Sequence, residues 1–289
     1  MKKGESADPR IRALQQYKVP RDEEDERYVK DFAVEDEEGF RAFFERFGFV
    51  VIRNVLTPEE CANTLNDLYD IIETGSQFRR DDVTTWNNFP PNSIPQYGSP
   101  SKPPIFKPQF VRNRQNPNVH RVFATLMGEE DLISNFDRGC FFRPRLVDMG
   151  NGSMKTMKEW STRDNLHLDM NPWNWLGDGS IVRQNLDRLR YNGLQSPDFI
   201  AENNQPCHLD GLQLQGVMNL IDNHEEDGGF ICVPGFAHHF DEFYSADPAH
   251  RDDCSSYNYR SSDPIFRLYK RVPMRVGRSP FLPLSLLIS

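Results

Sequence analysis

Residues 164–175, "DNLHLDMNPWNW", place a histidine and a carboxylate two positions apart, at His167 and Asp169. In an extended strand, residues i and i+2 project from the same face, so these two side chains would lie side by side. An imidazole and a carboxylate in that arrangement can chelate one metal ion. His167 and Asp169 are therefore the candidate metal ligands. The alternative is an ordinary buried hydrogen-bonded pair in a β-rich binding protein.

A second His-Leu-Asp sequence occurs at His208 to Asp210. His208 lies directly before a predicted strand that starts near Leu212, which leaves no room for a strand of its own and a turn. A long connection separates His167 from that strand. We therefore interpret His208 as a loop histidine and His167 as the ligand. One more histidine beside His167 and Asp169 would complete the 2-His-1-carboxylate triad of non-haem Fe(II) enzymes.

The stretch "LQLQGVMNL", residues 212–220, alternates as a strand does. Its apolar residues share one face, and Gln213, Gln215 and Asn219 share the other. If the polar face lines a cavity, Gln215 and Asn219 are candidate cofactor-binding residues. The alternative is that these amides face water.

The N-terminal third of the chain contains clear local signals. After the acidic residues 22–38, apolar positions at helical spacing predict a surface helix that ends at Gly48. The β-branched run "FVVIRNV", residues 49–55, predicts a strand. Thr57, Pro58 and Glu60 then supply an N-cap, a first-turn proline and a capping-box glutamate, which predict a helix from about Pro58 into the seventies.

Residues 83–128 contain no Asp or Glu, and seven of the 21 prolines lie between Pro90 and Pro108. This composition predicts a long, irregular, basic loop. The loop would receive an anionic substrate or, equally well, pack across a sheet edge. We expect residues 1–30 to be a flexible N-terminal segment and residues 31–289 to form one domain.

Composition limits the partners of the protein. The net charge is −9, with 43 acidic and 34 basic residues, which argues against general affinity for nucleic acid. No segment has the length of a membrane-spanning helix, and no apolar run follows the two initial lysines as in a secretory signal. The five scattered cysteines favour a reducing compartment, and we expect a cytoplasmic protein.

Three motifs in order resemble the phytanoyl-CoA dioxygenase family of Fe(II)- and 2-oxoglutarate-dependent oxygenases. They are "FGFVVIRNVLTPEECANTL" at residues 47–65, "HLDMNPW" at residues 167–173 and "QGVMNLIDNHEEDGGFICVPG" at residues 215–235. The resemblance covers roughly residues 35–275. It implies a mainly β fold with flanking helices, a double-stranded β-helix or jelly roll.

The resemblance also implies a chemistry. His167 and Asp169 would bind Fe(II), and 2-oxoglutarate would chelate the same ion as cosubstrate. Oxidative decarboxylation of 2-oxoglutarate to succinate and CO2 by dioxygen would then drive hydroxylation of a small organic substrate, an acyl-CoA or another anionic metabolite, with the second oxygen atom of the same dioxygen. Related halogenating enzymes have a small residue in place of Asp169, so its presence favours hydroxylation.

The sequence departs from the family pattern after Val276. "RVPMRVG", at residues 271–277, matches, but "RSPFLPLSLLIS" follows without the expected distal iron-binding histidine or the 2-oxoglutarate-binding arginine. This predicts a jelly roll that is incomplete at its C-terminal end. His238 or His239 could substitute for the missing ligand, whereas His120 and His224 are more typical of surface histidines. Two hypotheses follow: an oxygenase with an unusual third ligand, or a non-catalytic member of the same fold.

Overall fold

The computed structural model describes residues 9–100, 103–128, 130–132, 134, 138–150, 152–160, 165–169, 172–176, 214–246, 257–277 and 279–283. The helices in these ranges are α1 (Pro9–Leu14), α2 (Glu37–Phe47), α3 (Pro58–Thr74), α4 (Pro108–Arg114), α5 (Pro117–Met127) and α6 (Phe240–Ser245). Among the helices described here, none has the length and apolar character needed to cross a membrane.

In the part of the chain that the structure describes, the strands are short and pair with one another antiparallel. They are β1 (Val50–Ile52), β2 (Leu146–Asp148), β3 (Met154–Thr156), β4 (His167–Leu168), β5 (Leu214–Gly216), β6 (Ile231–Cys232), β7 (Tyr257–Asn258), β8 (Lys270–Arg271) and β9 (Ser279–Pro283). One sheet has the order β1-β9-β5, and three two-stranded ladders pair β2 with β3, β4 with β7 and β6 with β8. Whether these ladders belong to a jelly roll stays a prediction.

Local chemistry explains the elements predicted near residue 50. The Asp36 side chain accepts the Gly39 N–H at the start of α2, and Gly48 ends that helix in the left-handed conformation at φ 75°. The capping box between Thr57 and Glu60 is complete at the start of α3. The predictions of α2, β1 and α3 are therefore confirmed.

Strand β9 comes from the segment in which the resemblance is lost. Phe281 pairs with Val50 of β1 on one side and with Gly216 of β5 on the other. The segment therefore pairs with one edge of β1 and one edge of β5. Pro280 and Pro283 have no N–H to donate, so the N–H groups of the other three residues are the ones that can hold β9 in the sheet.

Two of the four apolar clusters among the described residues lie next to β1 and β4. In the first, α2 packs on β1 through Phe40, Phe43 and Phe47, which are at most 6% exposed. The second surrounds β4 and contains Leu166, Leu168, Trp173, Phe236, Phe243, Tyr244, Tyr259 and Ile265, all buried. Burial of this apolar area is the main favourable contribution to folding.

The predicted loop at residues 83–128 is wrong in its second half, which forms α4 and α5. Pro108 and Pro117 each occupy the first turn of a helix, where the missing N–H has no intrahelical partner to lose. Asn116 caps α5 by accepting the N–H groups of Asn118 and Val119. The prolines therefore mark helix starts there.

The described part of the predicted flexible segment, residues 9–30, is packed on the body of the protein. Ile11 and Leu14 lie one helical turn apart and are 3% and 4% exposed, in the same cluster as Phe236. Val29 donates its N–H to the carbonyl of Pro273. The prediction of a flexible segment therefore differs from the structure, because burial of the apolar face of α1 holds residues 9–30 against the rest of the protein.

Candidate functional site

Strand β4 positions the two predicted ligands by strand alternation. Leu166 and Leu168 are 1% and 0% exposed and point into the second apolar cluster. His167 and Asp169 therefore project from the opposite face. His167 Nε2 lies 3.2 Å from Asp169 Oδ1, and their side chains are 16% and 48% exposed. The structure thus brings the predicted pair together on an accessible face.

A backbone carbonyl orients the imidazole. His167 Nδ1 lies 2.8 Å from the carbonyl oxygen of Asn165, which can only accept, so Nδ1 carries the proton. In the neutral ring this leaves the lone pair of Nε2 directed at Asp169. With a second proton, on Nε2, the ring donates a hydrogen bond to Asp169 Oδ1 at 3.2 Å, and a bound cation would take the place of that proton. Metal-binding histidines commonly have this hydrogen bond to a carbonyl.

The surroundings of Asp169 favour its charged form. Its pKa lies below the usual value, mainly because His167 hydrogen-bonds to the carboxylate, while partial burial acts in the opposite direction. The Gln215 side chain also hydrogen-bonds to Asp169, and the positive charge of Arg138 contributes. Gln215 lies on β5, so this contact joins the three-stranded sheet to the β4 ladder.

The other candidate cofactor residue, Asn219, has a different role. Its Nδ2 lies 2.6 Å from the carbonyl oxygen of Ile221, 3.2 Å from that of Met274 and 3.1 Å from that of Arg275. These contacts fasten the chain after β5 to the segment before β9. Of the two amides, Gln215 is the one that reaches the candidate site.

Within the described ranges, no group of three His, Cys, Asp or Glu side chains could hold a metal ion. His238 Nε2 contacts the carbonyl of Glu45 at 2.7 Å, and His239 Nε2 lies 3.3 Å from the Tyr17 hydroxyl. His120 contacts the carbonyl of Glu130, and His224 packs against the ring of Tyr28. These histidines are therefore not third ligands. His208 lies outside the described residues.

Three basic residues of the segment 83–128 make polar contacts with other side chains of the protein. Lys107 forms an ion pair with Asp70, and Arg121 pairs with Glu37 at 2.7 Å. Arg112 donates to the Gln109 side chain at 3.0 Å. These contacts reduce the charge that the segment could offer to an anionic substrate.

Two residues at the site were missed in the sequence. Arg138 lies in a stretch without periodicity, and Asn258 reaches the site only through the pairing of β4 with β7. The alternation "YNY" at residues 257–259 was the available signal, because it resembles a short strand with its asparagine on the polar face.

Comparisons with known proteins place the chain among oxygenase-like sequences. A protein of Dictyostelium discoideum named "Putative phytanoyl-CoA dioxygenase" is 45% identical over 287 residues, which cover 91% of this chain and 78% of that protein. No protein-family model matches the chain.

Solved structures resemble the fold at low identity. The crystal structure of GlcNAc Inducible Gene 2 from Candida albicans superposes with a TM-score of 0.54 and 16% identity, covering 90% of this chain and 62% of that one. The "Putative Oxidoreductase" from Salmonella typhimurium LT2 gives a TM-score of 0.50 and 12% identity, covering 88% and 67%. At these identities the likeness concerns the fold alone.

Proposed function

The chain belongs to the phytanoyl-CoA dioxygenase family, and on that premise we propose that it is an Fe(II)- and 2-oxoglutarate-dependent oxygenase that hydroxylates a small organic substrate. The observation that supports the proposal most directly is the contact of His167 with Asp169 at 3.2 Å, on the face of β4 opposite the apolar cluster. Family membership supplies the reaction type, and this pair supplies a place for the iron.

The donor set fits two positions of such a site. Imidazole and carboxylate are ligands of non-haem Fe(II), and Nε2 of His167 has its lone pair directed at Asp169 because Nδ1 is held by the Asn165 carbonyl. A divalent cation bound by these two groups would take the place of the proton in their hydrogen bond. His167 and Asp169 are therefore the residues that would hold the iron.

When bound, iron and 2-oxoglutarate would allow one molecule of dioxygen to oxidise both the cosubstrate, which loses CO2, and a substrate C–H bond. The protein's contribution is orientation. The Asn165 carbonyl fixes the His167 ring, and Gln215 holds the Asp169 carboxylate by a hydrogen bond. Leu166 and Leu168 close the other side of the strand to water. Arg138 provides a positive charge near the carboxylate, suited to an anionic cosubstrate.

The fold proposed for this function is the double-stranded β-helix of the family. The contact that supports it joins Gln215 on β5 to Asp169, directly after β4. In the proposed fold, the sheet that contains β5 and the β4–β7 ladder would belong to the two facing layers of a jelly roll. The substrate we propose is a small organic molecule of the acyl-CoA or other anionic type, and the protein is proposed to act in the cytoplasm.

A second candidate function is binding without turnover. It is favoured by the finding that the described residues supply two strong metal donors and not three. Affinity for a metal depends on the number of ligands and on a pre-formed geometry. A member of the family with a weak iron site would retain the fold and bind small molecules.

The test is an anaerobic titration of metal-free protein with Fe(II) and 2-oxoglutarate, followed by the visible charge-transfer absorption of their chelate. We expect a band in the wild type and none in His167→Ala. His120→Ala is the matched control, since His120 is exposed and its ring contacts the backbone carbonyl of Glu130. A folded wild type without a band would refute the proposed site. Succinate formation in air then separates an oxygenase from a binding protein.

A further inference from the structure

The β4–β7 ladder places an asparagine directly across from His167. His167 is paired with Asn258, and Leu168 is paired with Tyr257. Side chains of directly opposed residues lie on the same face of an antiparallel ladder, about 5 Å apart at Cβ. Asn258 therefore shares the face of His167 and Asp169.

Burial on the other face supports this orientation. Tyr259 is 7% exposed, Leu168 is 0% exposed, and the Trp173 ring packs edge-on against Tyr257 with centroids 5.2 Å apart. Tyr257 and Tyr259 thus belong to the apolar side of the ladder. By strand alternation the residue between them, Asn258, points to the polar side.

The Asn258 side chain is available for a ligand. Asn258 is exposed, and its carboxamide makes no hydrogen bond with any residue that the structure describes. Its oxygen is a neutral donor of the kind that binds divalent cations, directly or through water. The amide is shorter than an imidazole, so it would reach a cation at His167 Nε2 through one water molecule.

We propose that Asn258 is the third protein group of the metal site, with its carboxamide oxygen facing the cation through one bridging water. This rests on the proposed function, because His167 and Asp169 must hold the cation. It assigns the position opposite His167, on the neighbouring strand, as the place where a third side chain completes the site.

The test measures the affinity of the metal-free protein for Mn(II) and Co(II) by calorimetry, with the Co(II) absorption spectrum as a report of coordination. Asn258→Leu keeps the size of the side chain and removes its oxygen, and we expect affinity to fall about tenfold, as for other groups that act behind direct ligands. Asn258→His supplies an imidazole long enough to replace the water. We expect it to bind at least about tenfold more tightly and to change the Co(II) spectrum.

Asn118→Leu is the control, since Asn118 is also exposed and lies in the first turn of α5. An unchanged affinity in Asn258→Leu, or no tightening in Asn258→His, would overturn the assignment of Asn258. Loss of binding in His167→Ala beside such a result would leave the proposed function standing. Equal binding by wild type and His167→Ala would instead refute the metal site itself, and with it the role of Asn258.

Discussion

Arg275 holds Asp22 by two parallel hydrogen bonds, with Nη1 2.9 Å from Oδ2 and Nη2 3.0 Å from Oδ1. The same guanidinium lies 4.7 Å from the centre of the Tyr28 ring. Asp22 Oδ1 also accepts the backbone N–H groups of Glu24 and Asp25. One ion pair therefore fastens the N-terminal segment to the chain just before β9.

This ion pair predicts an acid-sensitive contribution to stability. The hydrogen bonds from Arg275 hold the pKa of Asp22 well below its usual value of 3.8. A carboxyl whose pKa is lowered by folding stabilises the protein above the unfolded pKa, and this contribution is lost as pH falls below it. We expect Asp22→Asn to lower the free energy of unfolding at pH 7 by about 2 kcal/mol.

The measurement is urea unfolding of wild type and Asp22→Asn at pH 7 and pH 3. The difference between the two proteins should shrink at pH 3, because the wild type has by then lost part of the contribution. A difference that does not change with pH would contradict the role of the ionised pair.

The close approach of Tyr17 to Gly235 allows a steric test of how the N-terminal segment packs. Gly235 has φ 73°, and a Cβ at this position would overlap the ring of Tyr17. Gly235→Ala should therefore destabilise the protein by more than the about 1–2 kcal/mol of left-handed strain alone. In a Tyr17→Ala background, only the strain should remain. Thermal unfolding of the four proteins of this cycle measures the coupling, and additive effects would show that the ring does not lie against Gly235.

Substitutions at Asn219 and Gln215 should have different effects, one on the stability of the protein and the other on its metal affinity. Asn219→Ala removes three contacts to backbone carbonyls, so we expect unfolding to become easier by about 1–3 kcal/mol, with unchanged metal affinity in the folded protein. Gln215→Ala removes a partner of Asp169, so we expect weaker metal binding with little effect on stability. Chemical denaturation and Co(II) titration of both variants check this. Weaker metal binding in Asn219→Ala with lower stability in Gln215→Ala would contradict both assignments.

The capping box of α3 gives a quantitative check. Thr57→Ala removes the oxygen that accepts the Glu60 N–H at 3.2 Å, and we expect a loss of about 1 kcal/mol in the free energy of unfolding. Thr74→Ala, at the other end of the same helix, is the control and should change stability much less. Equal losses in the two variants would show that the cap does not act as described.

Features set by neighbouring residues could be predicted from the sequence. Thr57 and Glu60 form a capping box because their separation fits one turn of helix, and Gly48 ends α2 because the left-handed conformation suits glycine. His167 and Asp169 lie together because strand alternation places them on one face.

Features set by distant residues could not be predicted. Asn258 lies beside His167 only because of a strand register that no local pattern specifies. A proline such as Pro117 is common both in loops and in the first turn of a helix, so composition alone does not distinguish the two. In the structure, the cap from Asn116 shows that Pro117 begins a helix. The packing of Ile11 and Leu14 depends on a partner surface formed by residues more than half the chain away.

Because β9 lies between β1 and β5, this sheet can form only after residues 279–283 have been synthesised. Residues of β1 and β5 leave the ribosome well before residues 279–283, so both strands are present before the strand that pairs with them. During that interval each has an unpaired edge, and unpaired edges of transient intermediates favour association with other chains. Until β9 has been synthesised, the nascent protein therefore exposes strand edges that favour aggregation.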